Sequence, residues 1–323
     1  MLMADLPTQA QWNALREREA ALLATVPVMV TAHDIEIAGE RVHYLEAGNP
    51  KLPPLVMIHG RGSAAALWYP IMPQLAPHRH LIAVDMCGWG VSSRAPFTGH
   101  SGADAITWWR DGVLGVLDAL GLDRFDLIGH SLGGMVALAI ALERGEKIDH
   151  LLLEDAAGFS LTSPLPMRLY FSAEPERLAR LVPRAVFDRV AGASVPIPGQ
   201  TPAGKRALAD FVYALTMLPG THESGARAFA EILSVSGVKY TLRDQVARIH
   251  TFTRVLWGTK DNVVPLKTAE AGIAMMPRAE LVTLAGAGHS PHMEIPDQFA
   301  ERVLEFLARG TETPVNADLS GTS

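Results

Sequence analysis

A serine, an aspartate and a histidine stand in three separate stretches whose residue types could together make one nucleophile. Ser131 lies at the centre of Gly129-His130-Ser131-Leu132-Gly133, Asp261 in Gly258-Thr259-Lys260-Asp261-Asn262, and His289 in Gly286-Ala287-Gly288-His289-Ser290-Pro291-His292. A serine hydroxyl is a poor nucleophile at neutral pH. It needs a histidine to take its proton as it attacks, and a carboxylate to hold that histidine in the right tautomer. The chemistry such a set can do is acyl transfer to water through an acyl-serine intermediate.

Each of these residues needs an element to place it. Phe125, Leu127 and Ile128 precede the serine as a short apolar run, and a helix-forming run follows from Met135 to Leu142. Strand, sharp turn and helix lift the hydroxyl of Ser131 off the strand end in a strained conformation. Gly129 and Gly133 stand two residues either side, where a side chain would crowd the strand and the helix. Further strands are expected at 55–58, 80–85 and 151–154, each a continuous apolar run, after a hairpin at 34–37 and 42–46 with a glycine turn. From 158 to 243 the alternation stops: the segment is rich in proline and helical patterns, and no sheet strand is expected there. It resumes with strands at 254–257 and 280–284 and helices near 266–276 and 297–308. Strands alternating with helices and apolar on both faces make a mostly parallel sheet covered on both sides. Asp261 and His289 then sit on loops beyond the carboxyl ends of their strands, where such sheets carry their sites.

From about residue 34 to 308 the chain resembles the α/β-hydrolases. His59-Gly60-Arg61-Gly62 is similar to the family's oxyanion loop, and Asp85-Met86-Cys87-Gly88-Trp89-Gly90-Val91-Ser92 to its D-x-R-G-x-G-x-S turn. Gly129 to Gly133 resembles the nucleophile elbow, Trp257-Gly258 to Asp261 the acid loop, and Gly288-His289 with Glu294-Ile295-Pro296 the histidine loop. The order Ser, Asp, His also resembles that of the family. Cys87 departs from it: the family usually has Arg there, so an ion pair often found beside that turn is missing. The resemblance implies an α/β-hydrolase core over 30–157 and 244–310. The break in the alternation gives a helical cap over 158–243, the helical pattern an N-terminal helical extension over 1–29, and the polar composition a disordered tail over 311–323. The resemblance also implies an oxyanion hole from the backbone N–H groups of Arg61 and Leu132, and the Arg61 side chain is open to solvent, to an acidic group of the substrate or to bracing the cap. Serine at the elbow favours hydrolysis of carboxylic esters of small to medium apolar substrates, with Trp68, Met167 and Met217 as pocket candidates. The alternative is a C–C bond, lactone or amide hydrolase with the same triad, although its carbon–carbon members often carry Asn where this chain has His130. A non-catalytic ligand-binding protein on the scaffold is a third reading.

Other residues compete for these roles. Asp155, after the strand at 151–154, is the rival acid position, and His292 the rival histidine; His59 and His130 read as structural hydrogen-bonders. No cofactor is called for, and no metal is expected, since no histidine pair shows H-x-x-x-H spacing with a carboxylate base. The chain of 323 residues is 48% hydrophobic and 19% charged, enough for one large α/β domain. A formal charge of −6 argues against nucleic acid as partner and says little else; the partner that the resemblance implies is a small-molecule ester. The lone Cys87 fits a reducing compartment and reads as a small buried residue, the N-terminal stretch is not a signal peptide, and no run approaches the roughly 18 apolar residues of a membrane span, so a cytoplasmic location is expected. Residues 9–24 read as an amphipathic helix whose apolar stripe is broken only by Glu19; it is open to packing on the domain, covering the site, forming a homodimer or resting on a membrane surface.

Overall fold

The continuous apolar runs become strands buried on both faces, and the helices between them supply the cover. The structure, a computed structural model, describes residues 6–173, 175–194 and 197–310. One sheet contains β1 (Val30–Ile37), β2 (Glu40–Ala47), β3 (Pro54–Ile58), β4 (His80–Val84), β5 (Phe125–His130) and β6 (Ile148–Glu154). After a separate two-stranded hairpin of β7 (Leu233–Ser234) and β8 (Gly237–Val238), it is completed by β9 (Thr253–Gly258) and β10 (Ala279–Leu284). The spatial order is β1-β2-β4-β3-β5-β6-β9-β10. The pairs β1–β2 and β2–β4 are antiparallel, and every later pairing is parallel. The β1–β2 turn is Ala38-Gly39 with φ of 52° and 82°, two positive values that match the twist of a tight hairpin.

Parallel neighbours need crossover helices, so the carboxyl ends of β3, β4, β5, β6, β9 and β10 face one edge of the sheet. A core lies on each face, one around Trp109, Leu138 and Trp257, the other around Trp68, Phe299 and Phe306. Between β6 and β9 the chain leaves the sheet. It forms the helices Leu165–Ser172, Pro175–Ala179, Arg184–Ser194 and Pro202–Met217, a kinked turn at His222–Phe229, and the β7–β8 hairpin. None of these joins the main sheet, as expected; the hairpin was not foreseen because strands of two residues are too short to show a period of two.

The helix Gln9–Leu23 starts at a capping box, Thr8 exchanging bonds with Gln11. Its buried Leu15 and Leu22 join the core that holds Phe211 and Leu215 of the helix Pro202–Met217. The helix packs on the domain. Between β3 and β4 the chain makes a 3-10 turn, Ala65–Trp68, and a short helix, Met72–Leu75. Among the described residues no helix is long and apolar enough to cross a membrane. The polar tail 311–323 lies outside the described residues.

Candidate active site

Ser131 stands between β5 and the helix Leu132–Arg144 with φ 52° and ψ −116°, a conformation that non-glycine residues rarely adopt. The two glycines make this turn fit. A Cβ on Gly129 would come within 2.4 Å of the Gly133 carbonyl oxygen, and one on Gly133 within 2.3 Å of the Ile58 carbonyl oxygen. The turn is tied down by Ser131 N–H donating to the Glu154 carbonyl at 2.9 Å.

Three strand ends converge on one line of hydrogen bonds. Ser131 Oγ lies 2.9 Å from His289 Nε2, and His289 Nδ1 lies 2.8 Å from Asp261 Oδ2. Asp261 Oδ1 accepts the N–H groups of Val263 and Val264 at 2.7 and 3.0 Å. Burial works against the anion, but the hydrogen bond and charge of His289 outweigh it and hold Asp261 below the usual carboxylate range. With Asp261 ionised, Nδ1 is the donor and Nε2 is left to take the serine proton.

The loop carrying His289 is braced from both sides. Glu294 accepts the N–H of Gly288 at 2.6 Å and that of Ser290 at 3.1 Å. His130 Nε2 donates to the His289 carbonyl at 2.6 Å, and Glu154 accepts both the N–H and Nδ1 of His292. His292, buried with its ring centroid 4.4 Å from that of Trp68 in a tilted contact and its Nδ1 turned to Glu154, is therefore a prop of the loop. Burial pushes His130 and His292 down to about 3 and Glu154 up to about 7, so the two rings stay neutral at physiological pH. His59 is likewise a hydrogen-bonder: its Nδ1 lies 2.7 Å from the Gly60 carbonyl and its Nε2 accepts Met86 N–H at 3.1 Å.

A cleft opens on Ser131 and is lined by both Arg61 and Leu132. Leu132 is the first residue of its helix, so its N–H has no intrahelical carbonyl. The other walls are mainly apolar, with Met135, Phe171, Phe229 and Ile232 prominent, and among the described residues Arg61 is the one charged wall. Its guanidinium lies 4.8 Å from the ring of Phe171 and 5.0 Å from that of Phe229. The three pocket candidates read from the sequence are corrected here: Trp68, Met167 and Met217 are not among the cleft walls. Trp68 is spent on His292, Met217 ends a helix that packs against Gln9–Leu23, and on Leu165–Ser172 it is Phe171, one turn beyond Met167, that meets the cleft.

Two buried groups escaped the sequence reading. Where the family's usual Arg is replaced by Cys87, the fully buried Arg94 supplies the cation from downstream, donating to the carbonyls of Trp89, Gly90 and Ser92 at 2.9, 2.6 and 2.6 Å. The available signal was that Arg94 is the only Lys or Arg between Arg79 and Arg110. The same loop is pinned by Asp85, which accepts the N–H groups of Ala65 and Val91 and is pushed up to about 6 by burial. The second is Glu19, which breaks the apolar stripe of its helix because it is buried against His43: Nε2 lies 3.0 Å from Glu19 and Nδ1 2.9 Å from Asp34. Folding also brings His130, Glu154 and His292 together, and likewise Glu19, His43 and Asp85, groupings that spacing along the chain does not reveal.

Residues 53–296 match the family model described as alpha/beta hydrolase fold. The chain is 32% identical over 270 residues to a 2-hydroxymuconate semialdehyde hydrolase of Pseudomonas sp. (strain CF600), covering 81% of this chain and 89% of that protein. It is 30% identical over 295 residues to a 2-hydroxy-6-oxo-2,4-heptadienoate hydrolase of Pseudomonas putida, covering 88% and 97%. Among solved structures, the 2-hydroxy-6-oxo-6-phenylhexa-2,4-dienoate hydrolase of Rhodococcus sp. strain RHA1 superposes with a TM-score of 0.73 at 24% identity, covering 87% of this chain and all of that one, a likeness of fold.

Proposed function

Because the chain belongs to the α/β hydrolase fold family, we propose that it is a serine hydrolase cleaving a carbon–carbon bond beside a carbonyl in acidic, conjugated substrates of the 2-hydroxy-6-oxo-dienoate kind. The observation that carries this reading is the composition of the cleft: apolar walls suit a conjugated carbon chain, and Arg61, the one cation among the described walls, shares the space with Ser131. A guanidinium recognises a carboxylate through paired N–H donors. The names of the relatives at 30–32% identity point the same way, each describing a 2-hydroxy acid or semialdehyde with a carbonyl along its chain.

Ser131 Oγ gives its proton to His289 Nε2 and attacks the substrate carbonyl carbon, while Asp261 holds the proton on Nδ1. The oxyanion that forms is met by the backbone N–H groups of Leu132 and Arg61. The step runs in the 2-oxo tautomer of the substrate, its enol proton moved to the carbon beside the attacked carbonyl. Collapse of the adduct breaks the adjacent carbon–carbon bond, and the electron pair is delocalised into the 2-oxo acid as a dienolate that is protonated from His289. That delocalisation makes a carbon leaving group acceptable. Water, deprotonated by His289, then attacks the acyl-serine, releases the second acid and restores Ser131.

The test is turnover of a 2-hydroxy-6-oxo-dienoate beside that of a p-nitrophenyl ester. The dienoate is expected to show kcat/KM at least about tenfold higher, and Arg61→Met should raise KM for the dienoate by about tenfold or more while changing the uncharged ester little. An ester preferred by the wild type, with Arg61→Met indifferent on both, overturns the reading in favour of a second one, hydrolysis of small to medium apolar carboxylic esters. His130 at the elbow, a position where carbon–carbon members often have Asn, favours that second reading.

A further inference from the structure

The carboxyl end of β6 carries an aspartate that the Ser131–His289–Asp261 line does not use. Asp155 is fully buried, and its backbone is held at φ 44°, a left-handed conformation that Asn and Asp tolerate best after glycine. Its Oδ1 accepts the N–H of Gly258 at 3.0 Å. Its Oδ2 is buried with no N–H or hydroxyl donor among the described residues. What it faces is another acid. Oxygens of Asp155 and Asp261 and a ring nitrogen of His289 lie within 4.8 Å of one another, which sets the two carboxyl groups side by side.

Two carboxylate oxygens bond only with a proton between them. Asp261 already accepts three donors, from Val263, Val264 and His289, each of which favours its anion. Asp155 accepts one. The proton therefore belongs to Asp155. We propose that Asp155 is a positioning residue: as the neutral acid it donates its carboxyl proton to Asp261, fixing the carboxylate that orients His289. The groups around it agree. Burial first, then the charges of Glu154 on its own strand and of Asp261 past β9, drives Asp155 well above the usual carboxylate range. The inference rests on the reading of Ser131, His289 and Asp261 as the hydrolytic group, and Ser131→Ala separates the two failures.

The experiment follows p-nitrophenyl ester turnover by the full chain. Asp155→Gly removes the carboxyl group without straining φ, and should lower kcat by about 30-fold with KM changed less than about twofold. Asp155→Asn keeps an acceptor for Gly258 and an N–H donor for Asp261, and should recover at least about tenfold of that loss. Because Asn replaces a neutral acid, the acid limb of the kcat/KM profile should stay within about 0.3 pH unit of wild type. Asp155→Asn as slow as Asp155→Gly, or no loss in Asp155→Gly, overturns the proposal. So does an acid limb in Asp155→Asn displaced downward by more than about half a unit, since that means a negative charge was removed. Should Asp155→Gly fail to fold by thermal melt, the position of that limb decides. Undiminished turnover by Ser131→Ala defeats the underlying reading instead.

Discussion

Beneath Ser131 the carboxylates of Asp261, Glu154 and Glu294 each accept two or more N–H groups, whereas in the insert Leu161, Leu165, Leu169 and Tyr170 stand half in solvent. The floor of the cleft belongs to the parallel sheet, and its positions are over-determined: buried strands, glycines against carbonyls, and charged groups that cannot move without losing partners. The roof belongs to the insert between β6 and β9, chiefly Phe171 of one helix, Phe229 and Ile232 at and just after the kinked turn, and the short hairpin, and makes few such commitments. Donors and charges aimed in advance at a developing oxyanion stabilise it without reorganising, so chemistry favours a stiff floor. Selection among substrates is served by apolar contacts that can be exchanged one at a time, which suits a loosely packed roof. Arg61 lies at the seam, carried by the loop after β3 yet set over Phe171 and Phe229 from the insert.

The comparison breaks if the floor turns out not to carry the chemistry. Ser131→Ala should fold normally and lose about 10³-fold or more in kcat, because no covalent step remains. Near-wild-type turnover by the folded variant would place the reaction elsewhere. Asp261→Asn should cost about 10³-fold, and at least about tenfold more than Asp155→Asn, since His289 loses the partner that sets its tautomer. The reverse ranking, in proteins of matched thermal stability, would transfer the acid role to the end of β6.

This division also decided what could be read from the sequence. Ser131, Asp261 and His289 were legible because a strained turn, a strand end and a glycine-rich loop each leave local patterns, and the chain order joins them. The sheet was legible for the same reason, as apolar runs punctuated by glycine and proline. The roof was not. Phe171 meets the cleft and Met217 does not, although both are large apolar residues on helices, because what separates them is the direction in which each helix packs. Arg94 and Glu19 were obscured differently. Each is a charged residue whose burial depends on partners distant in sequence, the carbonyls of one loop for Arg94 and His43 for Glu19.

The difference between the two regions sharpens if roof substitutions retune selectivity and leave the chemistry alone. In a series of p-nitrophenyl esters of rising acyl length, each methylene that finds room contributes up to about 0.8 kcal/mol. Phe171→Ala should move the optimum to longer acyl groups and change kcat/KM at the former optimum by about fivefold. Met217→Ala, outside the cleft walls, should keep the wild-type optimum. Equal shifts in both variants would mean that the roof reaches further along the insert than these walls.

The helix Gln9–Leu23 touches both regions, packing on Pro202–Met217 of the insert and holding Glu19 against His43 of β2. Burial alone would lower the charge on His43, but the hydrogen bonds to Asp34 and Glu19 outweigh it and raise His43 to about 10. The unfolded chain has the ordinary histidine value of about 6.5. Below that value both states carry the proton, and the full stabilisation is present. As pH rises from about 6.5 toward about 10, the unfolded chain gives up its proton first, and stability falls by on the order of 1 kcal/mol per pH unit. The melting temperature of the wild type should therefore drop between about pH 7 and 9.5 by about 3 °C more than that of His43→Gln, which has no such proton to lose. Parallel declines in the two proteins would show that His43 is not held charged by Glu19 and Asp34.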